Sequence, residues 1–91
     1  MTDIKRAVTV GTDNKEDVLI TLSPVQEGSG ISIEVSGKGA RQFGDEIKAA
    51  VRAALQDMNV KDATVQVQDN WAYDFTVRAR TKAAVLKARE D

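Results

Sequence analysis

The chain has no cysteine and no histidine among its 91 residues. The first absence excludes disulfides and thiolate metal sites. The second removes the commonest general base and the commonest metal ligand. Aromatic residues are scarce, with one Trp, one Tyr and two Phe, so little surface is available for stacking nucleic-acid bases. There is one proline. Apolar runs are short, far below the length of a membrane span. Charge of one sign is also lacking: 13 basic and 14 acidic residues leave a net charge of −1, which calls for no polyanionic partner. Met1–Arg6 leads into no apolar stretch, so no secretory signal is expected and the cytoplasm is the default location. The length suits one domain, 1–91, with a modest core and a small stability margin.

What is present is alternation. Ala7 to Val10 is short and β-branched and ends at Gly11. Gly11-Thr12-Asp13-Asn14-Lys15-Glu16-Asp17 is polar and reads as an exposed loop between apolar runs. Val18, Ile20 and Leu22 alternate with Leu19, Thr21 and Ser23, which predicts a strand with one buried face, ended by Pro24. Gly28-Ser29-Gly30 signals a turn. Ile31, Ile33 and Val35 alternate with Ser32, Glu34 and Ser36, so this pair of strands reads as an antiparallel hairpin.

The period then changes. Phe43, Ile47, Ala50, Val51, Ala54, Leu55 and Met58 form one helical stripe, with a start near Gly39 or Ala40, close to Ser36 or Gly37. Gly44 lies inside it at a cost of about 1 kcal/mol relative to alanine, which suggests close approach of another backbone. Asn59 suits a left-handed residue after the last turn. Ala63, Val65 and Val67 alternate, Asp69-Asn70 reads as a turn, and Trp71, Tyr73, Phe75, Val77 and Ala79 alternate again. That predicts a second hairpin, with its aromatics in the core. Ala84, Val85 and Ala88 suit a short final helix from Thr81, its end complemented by Lys82, Lys87 and Arg89. The expected fold is α+β: a largely antiparallel sheet, β-β-β-α-β-β-α, with one long amphipathic helix packed on it.

Catalytic machinery is hard to find. Asp13, Glu16 and Asp17 lack the spacing of a calcium loop and read as a solvated acidic turn. Asp45 and Glu46 are expected in the first turns of the long helix, where the dipole favours them. Arg78 and Arg80, on one face of the predicted strand with Asp74 and Thr76, could grip an anion or simply face solvent. No nucleophile–base pair and no metal site stand out, so the chain reads as non-catalytic: it binds something or carries something.

Gln42-Phe43-Gly44-Asp45-Glu46-Ile47, Asn59-Val60 and Arg78-Ala79-Arg80 occur in that order, after Gly11-Thr12 and Asp17-Val18. Together they resemble the acyl carrier protein of citrate lyase, its gamma subunit, from about Ala7 to Ala88. A closely similar carrier serves malonate decarboxylase. The resemblance implies a carrier that presents acetyl and citryl thioesters to a transferase (alpha) and a lyase (beta) subunit. It also implies a 2'-(5''-triphosphoribosyl)-3'-dephospho-CoA arm, joined by phosphodiester to a serine in the loop after Gly-Thr. In this sequence Lys15 occupies that attachment position, and a lysine amine does not form the same phosphodiester. Thr12 is the fallback hydroxyl. Asn70-Trp71 stands where the family tends to have a lysine-glycine type of turn. Two functions follow as expectations: a citrate-lyase-type acyl carrier, or an unmodified carrier-like subunit that docks without the prosthetic group.

Overall fold

A computed structural model describes residues 4–91. The expectation about a signal at Met1–Arg6 therefore lies partly outside the described residues. Six elements follow one another: β1 (Val8–Gly11), β2 (Asp17–Ser23), β3 (Ile31–Gly37), α1 (Ala40–Asp57), β4 (Ala63–Asn70) and α2 (Asp74–Arg89). The strands form one sheet in the order β1-β2-β4-β3. Both helices pack on one face, and the chain is α+β as expected.

The sheet is mixed, not a pair of hairpins. β1 pairs antiparallel with β2, and β2 antiparallel with β4, but β3 pairs parallel with β4. Gly28-Ser29-Gly30 is a turn with Gly28 and Gly30 at positive φ, yet it does not close a hairpin between β2 and β3. The chain crosses over through α1 and returns β4 into the gap, the usual connection for parallel neighbours. Burial explains who takes the centre. Val18, Ile20 and Leu22 of β2, and Ala63, Val65 and Val67 of β4, are fully buried. Ile31, Ile33 and Val35 are only half-buried, as suits an edge strand. The opposite face is bare and polar, with Thr9, Thr21, Gln66 and Glu34 in one row across the four strands.

α1 starts at Ala40 with Gly39 as its N-cap, and buries Ile47, Ala50, Val51, Ala54 and Leu55. Asn59 takes the left-handed conformation after the helix (φ 59), and Val60 N–H closes onto Leu55 O at 2.9 Å. Three expectations for this helix fail. Phe43 sits at a kink (φ −120, ψ 16) and is 42% exposed, so it leaves the buried stripe. Gly44 faces open space, with no approaching backbone. Asp45 and Glu46 lie beyond the first turn, which contains no acid.

The larger correction concerns residues 71–80, which form no strand. From Asp74 they are helical and continuous with the final helix. The buried stripe of α2 is Val77, Thr81, Ala84, Val85 and Ala88, a helical spacing masked by a polar member. The Thr81 hydroxyl is satisfied locally, donating to Val77 O at 2.8 Å, so threonine can be fully buried there. Asp74 lies in the first turn and Lys87 and Arg89 in the last, each favourable to the dipole. Arg89 also donates to Met58 O at the end of α1 (2.5 Å), and Lys82 pairs with Asp57 at 3.2 Å. The aromatics expected in the core are outside: Trp71 is 44%, Tyr73 57% and Phe75 71% exposed.

Candidate functional site: the loop between the first two strands

Gly11–Asp17 is the connection of the β1–β2 hairpin, and it is held at both feet. Gly11 adopts φ +93 and packs so tightly that a Cβ would collide with Val18 O. Only glycine fits there. On the far side, Glu16 N–H donates to Asn70 O at 2.8 Å, and Asn70 Nδ2 donates to Asp13 O at 3.0 Å. The end of β4 therefore pins the loop. Glu16 itself is left-handed (φ 64).

Asp17 is the hinge of this arrangement. It receives hydrogen bonds from Arg80 Nε (3.1 Å) and Nη2 (3.3 Å), from Thr12 Oγ1 (2.8 Å) and from Val18 N–H (2.8 Å). Desolvation pushes its carboxyl up, but the bonds from Arg80, Thr12 and Val18 outweigh that and hold it below the usual aspartate value. The sequence missed this pairing because 63 residues separate the partners. Arg78 and Arg80 are not neighbours on a strand face. They lie two apart on α2, where side chains diverge: Arg78 pairs with Asp74 at 2.5 Å, and Arg80 with Asp17.

A depressed carboxyl contributes stability above its unfolded value of about 3.9, and loses it as pH falls through the folded value. Asp17→Asn should therefore destabilise the protein most near neutral pH. The difference from the parent should shrink as pH is lowered below 4, as urea midpoints at pH 7, 5 and 3 would reveal. A constant difference across that range would refute the electrostatic role.

The two candidate attachment residues have different surroundings. Lys15 is exposed in the loop, as are Asp13 and Glu16. Thr12 is exposed too, but its hydroxyl is engaged twice, donating to Asp17 and accepting Asn14 N–H at 3.1 Å. A phosphodiester needs a hydroxyl, and Thr12 is the sole residue of the loop that has one. The residues present thus do not fit a phosphodiester-linked arm at Lys15. Among the described residues, no group of three or more acidic side chains is placed to hold a metal ion. No described helix is long and apolar enough to cross a membrane.

Comparison with known proteins places the chain as a whole in a family. The family model described as ACP, malonate decarboxylase delta subunit (MdcD), matches residues 5–88. The citrate lyase acyl carrier protein of Halothermothrix orenii is 34% identical, over 94% of this chain and 89% of its own length. The Fusobacterium nucleatum citrate lyase acyl carrier protein is 38% identical, over 96% of this chain and 92% of its own. A chain from the crystal structure of a Pseudomonas malonate decarboxylase hetero-tetramer shares the fold, with a TM-score of 0.67 and 20% identity, over 93% and 86% of the two chains. By length, register of match and fold, this chain belongs to the acyl carrier protein family of citrate lyase and malonate decarboxylase.

Proposed function

We propose that the chain is a carrier-type subunit that docks on transferase and lyase partners of the citrate lyase kind and presents the Gly11–Asp17 loop to them. The family match supports the carrier role, and a sequence without histidine or cysteine fits a non-catalytic subunit. A carrier needs a stable body, an exposed loop and docking faces, since tethering converts encounters into intramolecular events. The hairpin supplies such a loop, with both feet tied to the body.

One observation supports one of the two forms of this role over the other. The single hydroxyl in the loop, on Thr12, already makes two hydrogen bonds, and Lys15 offers an amine instead. This favours a subunit that docks without the triphosphoribosyl-dephospho-CoA arm. The alternative is a carrier of acetyl and citryl thioesters, which would have to break Thr12 away from Asp17 and Asn14.

Intact mass after co-expression with the family's arm-transferring enzyme tests both forms. The parent is expected at its unmodified mass and Lys15→Ser at the mass of the armed protein. An armed parent whose modification maps to Thr12 would establish the alternative. If Lys15→Ser stays unmodified, the loop is not a docking site for that enzyme and the assignment fails.

A further inference from the structure

The four aromatic residues of this chain are all solvent-exposed, between 42% and 71%, while its core is built from Val, Ile, Leu and Ala. In so small a domain, large side chains normally go inside, and an exposed aromatic group is a mark of a binding surface. They gather at the amino-terminal ends of α1 and α2. Phe43 and Trp71 meet edge to face with centroids 6.0 Å apart, and Tyr73 and Phe75 stack at 5.4 Å. Between the helices lies a shallow groove floored by Phe43, Ile47, Ala72 and Val77, and the two charged residues that line it, Glu46 and Asp74, are both acidic.

We propose that this groove docks an amphipathic helix of a partner protein, with apolar side chains in the floor and a lysine or arginine against Glu46. Charge selects the occupant. Asp74 is already neutralised by Arg78, whereas Glu46 has no ion-pair partner among the described residues. An apolar floor beside one unbalanced acid favours a basic amphipathic segment over an acidic or neutral one. Trp71 does not line the groove but packs on Phe43 at its rim. Trp71 is held in the left-handed conformation (φ 62), its N–H bonded to the buried Asp69 carboxylate at 3.1 Å. A backbone fixed in this way costs less to order on association. Asn70, the residue before it, ties the Gly11–Asp17 loop, so the groove and the loop share one end of the fold. The inference extends the docking reading above by naming a surface and the chemistry of what it binds. Lys15 plays no part in it.

Trp71 is the sole tryptophan and therefore reports on its own surface. The intact chain can be titrated with a synthetic amphipathic peptide of leucine and lysine at helical spacing, and with its leucine–glutamate counterpart, following tryptophan emission. The lysine peptide should give a saturable blue shift, and the glutamate peptide should bind at least about tenfold more weakly. Phe43→Ser and Glu46→Lys should each weaken the lysine peptide by a similar factor. Leu86→Ser, at an exposed position elsewhere on α2, and Lys15→Ser should leave it unchanged. Glu46 is exposed, so its variant tests the groove even if Phe43→Ser perturbs folding. No saturable shift, equal affinity for both peptides, or indifference to Glu46→Lys would overturn the proposal. A blue shift that grows with the concentration of the chain alone would assign the patch to a second copy and also overturn it. Co-elution with the transferase and lyase subunits reads the docking function separately, so the groove can fail while that function stands.

Discussion

Gly39→Ala is expected to destabilise the protein by roughly 2–5 kcal/mol. Gly39 has an ordinary backbone (φ −88), so no conformational strain is involved. The cost is steric. A Cβ at this position would overlap the Asp69 carboxylate, which is 2% exposed. That carboxylate accepts Trp71 N–H at 3.1 Å and Ala72 N–H at 3.2 Å, and so forms the turn that launches α2. Displacing it leaves two amides short of partners, each worth about 1–3 kcal/mol when buried. Urea unfolding of the parent, Gly39→Ala, Asp69→Ala and the double variant measures the coupling. The double variant should be hardly worse than Asp69→Ala alone. Additive losses would refute the proposed contact. Gly44→Ala, five residues along the same helix, is expected to act in the opposite direction, by about 1 kcal/mol, because its Cβ meets nothing.

Leu55→Ala should be similarly damaging, at about 2–5 kcal/mol, for a different reason. Leu55 is fully buried in a core of Val, Ile, Leu and Ala that contains no aromatic ring. Small side chains have little reach with which to refill the cavity, so relaxation should be limited. For a domain of this size total stability is roughly 5–13 kcal/mol. The loss should therefore lower the melting temperature by more than about 10 °C in a calorimetric scan. Phe75→Ala removes a larger side chain, yet it should change stability by less than about 0.5 kcal/mol, since Phe75 is 71% exposed. If Phe75→Ala proved the costlier of the two, the placement of the aromatics outside the core would be wrong.

That comparison also shows where the sequence was legible. The strands at 17–23, 31–37 and 63–68 were readable because one face of each meets the core, and period two follows directly from the pleat, whereas Asp69-Asn70, expected as a turn, belongs to the end of β4. The long helix was readable for the same reason at period 3.6. At 71–80 the pattern was ambiguous. Trp71, Tyr73, Phe75, Val77 and Ala79 alternate as a strand would, while Val77, Thr81, Ala84, Val85 and Ala88 follow a helix. The alternation was a coincidence of aromatics that lie on the surface, and the threonine hid the true stripe. Family resemblance identified the family, but how the Thr12 hydroxyl is engaged could not be read from it. That depended on Asp17 and Asn14.

By itself the sequence determined the absence of thiol and imidazole chemistry, the α+β class, and the exposed loop between the first two strands. These are properties of composition or of residues close in sequence. Only the tertiary structure decided that β4 inserts between β2 and β3, that Arg80 clamps Asp17, that Asn70 pins the loop, and that the aromatics end up outside. Each of those depends on groups far apart along the chain, brought together by burial of the sheet against two helices. Local periodicity carries no information about which distant partner wins that competition.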